Sequence, residues 1–102
     1  MKIFYRRSGG FTGMLISFDI DVETLPPEDA GELEALIDAA DFFALPAVIP
    51  SDTPGADQFQ YQLTVENEGQ QHTVEVGDAA VPDSLWPLLN KIRVLSRSTR
   101  NT

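Results

Sequence analysis

The alternation of apolar and polar residues along the chain predicts two β-hairpins. From residue 14 to residue 22 every even-numbered side chain is apolar, which is the period of two of a half-buried strand. The preceding run KIFYRR and the turn residues Ser8, Gly9 and Gly10 complete a hairpin over residues 1–22. Residues 58–77 repeat the alternation on both sides of the turn at Asn67-Glu68-Gly69, so we predict the second hairpin there.

Apolar residues at helical spacing predict two helices. The first spans residues 26–40, where Pro26-Pro27 suits a helix start and Leu33, Leu36 and Ile37 share one face. The second spans residues 82–97, with Pro87 in its first turn, and residues 98–102 form a tail. Residues 41–57 contain three prolines and one glycine, which predicts a long irregular loop between the first helix and the second hairpin.

These elements predict a single α+β domain over residues 1–102, in the order ββα-ββα. Each hairpin has one apolar face that must be covered, and two amphipathic helices are available to cover it. We therefore expect an antiparallel sheet built from the two hairpins, with both helices packed on one of its faces.

Charge divides the chain into basic ends and an acidic middle. The net charge is −9, all seven Lys and Arg residues lie outside residues 8–90, and all sixteen acids lie between Asp19 and Asp83. An acidic middle repels phosphate, which disfavours a nucleic-acid partner. The sequence also lacks an apolar run long enough to span a membrane, a signal-peptide pattern and any cysteine. These features favour a cytoplasmic, bacterial-type protein.

Candidate catalytic and metal-binding residues are few. His72 is the single histidine and shares its strand face with Val74 and Val76, which favours a hydrogen-bonded structural role. With no second histidine and no cysteine, a zinc site of the usual composition is excluded. Asp19 and Asp21 fall on the expected solvent face of their strand, where carboxylates stay ionised. We therefore predict no enzyme activity, no metal and no cofactor.

Several segments, in order, resemble one known family. These are RSGGFTG at 7–13, ADFFALP at 40–46, GADQFQY at 55–61, VENEGQQHTV at 65–74 and PDSLWPLL at 82–89. Together they are similar to the emfourin family, small protein inhibitors of protealysin-like metallopeptidases of the thermolysin family. The resemblance covers nearly the whole chain and implies a cofactor-free inhibitor that occupies the active-site cleft of a zinc peptidase.

Two segments are the candidates for contact with such a peptidase, because inhibitors often present an extended edge or loop for strand-like pairing. One is the turn at 8–13, with Phe11 as an apolar anchor, and the other is the loop at 51–57, where a carboxylate could approach the zinc. Their candidate partner-binding residues are Ser8, Gly9, Gly10, Phe11, Thr12, Gly13, Asp52, Thr53 and Asp57. Alternatively, the glycines serve turn geometry, Phe11 packs in the core and Asp57 caps its own loop.

A second hypothesis is an acidic interaction module that binds a basic protein surface and has no peptidase target. Such binding depends on screened charges and collapses with added salt, whereas an inhibitor anchored in a cleft keeps much of its affinity. A third and weaker hypothesis is a small-substrate enzyme that uses His72.

Overall fold

The computed structural model describes residues 1–9, 15–49, 59–77 and 80–100, with side chains described through residue 96. Five strands occur in this part of the chain: β1 (Lys2–Gly9), β2 (Ile16–Asp21), β3 (Val48–Ile49), β4 (Phe59–Asn67) and β5 (Gln70–Gly77). The helices are α1 (Pro27–Ala39) and α2 (Trp86–Arg100), and short 3-10 turns cover Val22–Thr24 and Phe42–Ala44. The α+β class and the two helices are therefore confirmed.

The strands form one sheet in the order β2-β1-β4-β5-β3. Strands β1 and β2 form the first antiparallel hairpin, and β4 and β5 form the second. The two hairpins join through antiparallel pairing of β1 with β4, from Lys2 opposite Glu66 to Gly9 opposite Phe59. Strand β1 therefore lies inside the sheet, with a partner on each side.

Strand β3 corrects the predicted architecture. The sequence analysis expects an antiparallel sheet of two hairpins in the order ββα-ββα, whereas the described chain has the order ββαβββα and a fifth strand that runs parallel to β5. Val48 and Ile49 pair with Glu75 and Val76, and the Glu75 amide donates to the Ala47 carbonyl at 2.8 Å. A strand of two residues between prolines is too short to show an alternation, so its pattern resembles that of a loop.

The apolar core lies on one face of the sheet. In β1 the buried residues are Ile3 and Tyr5, Phe4 between them is half-buried, and Lys2 and Arg6 on either side are exposed. The same alternation buries Tyr61, Leu63, Val65, Val74, Val76 and Ile20 on that face. Helical residues close over them, among them Leu33, Ile37, Leu85, Leu88, Leu89 and Ile92. We call the opposite side of the sheet, which carries Lys2, Phe4, Arg6 and Ser8 of β1, the open face.

An ion cluster joins the two helices. Lys91 Nζ of α2 lies 2.9 Å from Asp29 Oδ1 and 2.7 Å from Glu32 Oε2, both of α1. The hydrogen bonds that Lys91 donates to Glu32 and, to a smaller extent, to Asp29 raise the pKa of Lys91 above its usual value. Lys91, one of the C-terminal basic residues, thus neutralises part of the acidic middle within the fold.

His72 holds the connection after α1 against the sheet. Its Nε2 lies 2.6 Å from the Leu45 carbonyl oxygen, which only accepts, so Nε2 carries the proton and donates. The imidazole also packs edge-on against Phe42, with ring centroids 5.5 Å apart. This arrangement supports the structural role expected for His72 and anchors the chain just before β3.

The turn between β4 and β5 uses left-handed backbone at two successive residues. Glu68 has φ of 51° and Gly69 has φ of 83°, and Asn67 pairs with Gln70 across them. Positive φ at both central residues is the pattern of a type I′ turn, whose twist matches that of the flanking strands. The hairpin register therefore depends on Gly69.

Two glycines in open space allow a direct test of backbone conformation. A Cβ added at Gly31, inside α1, or at Gly69 meets no atom within 4 Å. We expect Gly31→Ala to raise the free energy of unfolding by about 1 kcal/mol, because alanine suits a helix interior better than glycine. We expect Gly69→Ala to lower it by a similar amount, because alanine disfavours a φ of 83°. Chemical denaturation checks both, and a loss of stability in Gly31→Ala would contradict the first.

The Lys91 cluster predicts a pH-dependent contribution to stability. Because the pKa of Lys91 is raised on folding, its contribution is complete below the unfolded value of 10.5 and is lost as pH rises through the folded pKa. We expect Lys91→Met to lower the free energy of unfolding by about 0.5–1 kcal/mol at pH 7, and the difference from wild type to shrink above about pH 10.5. Glu34→Gln, at an exposed acid of α1, is the matched control. An equal effect of both substitutions at pH 7 would contradict the prediction.

Candidate functional site

The strand pairing brings the flanks of the two candidate segments to one end of the sheet. Gly9, the last residue of β1, lies opposite Phe59, the first residue of β4, and neighbouring strands are about 5 Å apart. Strand β5 ends beside the start of β4, and β3, parallel to β5, ends there too. We call this the Gly9 end of the sheet.

The residues that flank both candidate segments lie at the Gly9 end. Gly9 and Leu15 flank residues 10–14, and Ile49 and Phe59 flank residues 50–58. Two of the predicted partner-binding residues, Ser8 and Gly9, are the last residues of β1. The others, Gly10, Phe11, Thr12, Gly13, Asp52, Thr53 and Asp57, lie outside the described residues. The segments are far apart in sequence, and only the β1–β4 pairing brings their flanks together.

Gly9 has a backbone conformation that other residues rarely adopt. Its φ is 98°, at the point where β1 ends. This conformation supports the turn-geometry interpretation of the glycine, because a side chain at this φ is strained. Gly9 therefore fixes the direction in which the chain leaves β1.

A cation–π contact joins the flanks of the two candidate segments. The Arg7 guanidinium carbon lies 4.6 Å from the centroid of the Phe59 ring, and both side chains are half-buried. Arg7 directly precedes the segment at 8–13, and Phe59 follows the segment at 51–57. An arginine over an aromatic face contributes about 0.5–2 kcal/mol, depending on how far it is desolvated. The contact therefore restrains the two flanks relative to each other.

Aromatic packing supports the Gly9 end from the core side. Tyr61 of β4 meets Trp86 edge to face with ring centroids 6.2 Å apart, and it lies 6.3 Å from the Tyr5 ring. Trp86 is the first residue of α2, so the start of this helix is fixed beneath the end of the sheet. The flanks of both candidate segments thus rest on regular, packed structure rather than on loops.

The open face at this end carries residues that the sequence analysis did not select. Arg6, Ser8 and Leu15 line a cavity of about 330 Å³ there, together with Gln60, Gln62 and Glu75. The alternation in β1 places Arg6 and Ser8 on the face opposite the core. Leu15, one residue before Ile16, belongs to that same face by the alternation in β2. The alternation in the sequence therefore indicates which face these residues occupy. It does not indicate the β1–β4 register that brings their side chains together.

The described ranges contain neither a metal-binding cluster nor a membrane-spanning helix. No group of three or more His, Asp or Glu side chains there could hold a metal ion. None of the helices within the same ranges is both long enough and apolar enough to cross a membrane. The carboxylates of Asp52 and Asp57 lie outside these ranges.

The family of the chain follows from a comparison with family models. The Emfourin family model matches residues 5–93, which include most of β1, all of β2 to β5 and the first half of α2. The chain therefore belongs to the Emfourin family, as its sequence segments predict. This membership indicates a peptidase inhibitor, with a peptidase as its partner in general terms. Comparisons with curated proteins and with solved structures find no match.

The Arg7–Phe59 contact predicts different effects for two adjacent arginines. We expect Arg7→Gln to lower the free energy of unfolding by about 1 kcal/mol, because it removes the cation from the Phe59 ring. Arg6→Gln is the matched control, since Arg6 is exposed on the open face, and it should change stability by less than about 0.5 kcal/mol. Urea denaturation measures both, and equal stability of the two variants would contradict the proposed role of the contact.

Proposed function

We propose that this protein inhibits a thermolysin-like zinc metallopeptidase of the protealysin type by reversible occupation of its active-site cleft. Family membership supports the inhibitor class. The type of peptidase and the mode of inhibition rest on the sequence resemblance. One structural observation supports a cleft-directed site: the flanks of both candidate segments lie together at the Gly9 end. We expect the inhibitor to act in the cytoplasm.

In this proposal the two segments supply different interactions. The segment at 8–13 offers backbone groups for strand-like pairing, and Phe11 supplies an apolar anchor for a substrate side-chain pocket. The segment at 51–57 supplies carboxylates at Asp52 and Asp57, one of which approaches the catalytic zinc, a metal that accepts oxygen ligands. Thr53, Ser8 and the glycines complete the contact surface.

The scaffold is suited to reversible inhibition. Binding is weakened by every degree of freedom that must be ordered in the complex, so an inhibitor benefits from segments held at both ends before binding. Here the flanks are fixed by the β1–β4 pairing, by Arg7 on Phe59 and by Tyr61 on Trp86. The two aromatic contacts lie outside the candidate segments, and the β1–β4 pairing reaches only Ser8 and Gly9 of them.

The central test is inhibition of a peptidase. Purified protein is titrated into assays of several protealysin-like peptidases, with a serine peptidase as the control. We expect inhibition of at least one metallopeptidase, competition with a small hydroxamate that binds the catalytic zinc, and no effect on the serine peptidase. No inhibition of any metallopeptidase would overturn the proposal. Inhibition that disappears at about 0.5 M salt would instead favour the acidic interaction module.

Substitutions in the two segments test their separate roles. We expect Phe11→Ala to weaken inhibition by at least about tenfold if Phe11 is an anchor, whereas Val94→Ala, at an exposed valine of α2, leaves it unchanged. We expect Asp57→Asn to weaken inhibition of the zinc-loaded peptidase but not binding to the zinc-free peptidase. Glu34→Gln is the charge-matched control. A folded Phe11→Ala or Asp57→Asn variant that inhibits like wild type would remove that residue from the interface.

A further inference from the structure

We propose that the peptidase-binding surface continues from the Gly9 end onto the open face of the sheet, where Arg6 binds a carboxylate side chain of the peptidase. This inference rests on the proposed function and extends it to residues outside the two candidate segments. It depends on the shape of the open face, on the environment of Arg6 and on two exposed apolar residues.

The open face is concave around Arg6. One cavity of about 230 Å³ is lined by Phe4, Arg6, Gln62, Thr64 and Gln71. The second, of about 330 Å³, shares Arg6 and Gln62 with the first and extends to Ser8 and Leu15. Because Ser8 belongs to the segment at 8–13 and Leu15 lies just beyond it, the concave surface is continuous with the candidate site.

Arg6 is an exposed cation whose two directly paired residues are neutral. Across the sheet it lies between Ser17 of β2 and Gln62 of β4. Its nearest acid in that row is Glu75, and the Gln62 amide lies between them and donates to the Glu75 carboxylate at 3.4 Å. Within the described ranges Arg6 forms no ion pair. None of the described acids pairs with this cation, so we expect it to bind an external carboxylate.

Lys2, the other cation on the open face of β1, has different neighbours from Arg6. It lies on the open face of β1 like Arg6, but its neighbours across the sheet are Asp21 and Glu66. The residues paired with Lys2 are acids, whereas those paired with Arg6 are neutral, although neither cation forms an ion pair within the described ranges. The two residues are about 13 Å apart along the strand, so they present two distinct local surfaces.

Exposed apolar residues flank the polar centre. Leu15, directly before β2, is 64% exposed, and Val48 of β3 is 60% exposed. Leu15 lies beside β1 at one edge, and Val48 pairs with Glu75 at the other. A cation between apolar side chains suits a protein partner, because apolar contacts around a charge pair exclude water and strengthen it.

Four variants test this surface against the same metallopeptidase. We expect Arg6→Gln to raise the inhibition constant at least about tenfold, and Arg6→Glu to raise it further because it places two carboxylates together. We expect Leu15→Ser to weaken inhibition in the same direction. Lys2→Gln, on the same strand and face, should leave the constant within about twofold of wild type. Thermal unfolding of each variant establishes that it is folded, and the exposure of all three residues favours that outcome.

The outcomes separate this inference from the proposed function. If wild type inhibits and Arg6→Gln inhibits equally well, the open-face surface is wrong and the cleft-directed function stands. If Arg6→Glu inhibits better than Arg6→Gln, the partner presents a cation and the carboxylate assignment is wrong. Equal losses of inhibition in Arg6→Gln and Lys2→Gln would indicate long-range charge effects and would also overturn the assignment of Arg6. If wild type neither binds nor inhibits any metallopeptidase, both proposals fail together.

Discussion

The pairing of β1 with β4 is the interaction on which the rest of the structure depends. It joins residues some sixty positions apart and places the first hairpin beside the second, from Lys2 opposite Glu66 to Gly9 opposite Phe59. Without it each hairpin would have an open edge and an apolar face too small to support a core. With it, one continuous apolar face forms, both helices pack on it, and the flanks of the two candidate segments meet at the Gly9 end.

The sheet formed by this pairing has two faces with different roles. On the core face, Tyr61 and Trp86 fix the start of α2, and Lys91 links the two helices through Asp29 and Glu32. On the open face, Arg6 remains available while Lys2 faces two acids. The basic residues thus serve different purposes: Lys91 stabilises the helix packing, Arg7 restrains the flanks, and Arg6 is proposed to bind the partner.

Local patterns in the sequence predict much of the fold but not its long-range pairing. The alternation through Ile16, Phe18 and Ile20 predicts the first hairpin, and the spacing of Leu33, Leu36 and Ile37 predicts α1, because both signals arise within one element. Strand β3 is not predicted, because two residues are too few to show an alternation of apolar and polar positions. The site is harder to predict. The alternation predicts on which face Arg6 and Leu15 lie. Their proximity to Gln62, however, follows from the register of β1 with β4, which no local pattern encodes.

The edges of the sheet have a consequence for the behaviour of the protein in solution. In the described chain, β2 forms one edge and the two-residue β3 forms the other, so the side of β5 that faces away from β4 is paired only in part. Edge strands invite pairing with other chains and aggregation unless they are short or charged. Strand β2 carries Asp19 and Asp21 on its exposed side, and like charges would face each other if two copies met there. The acidic character of the chain thus also protects its sheet from association with itself.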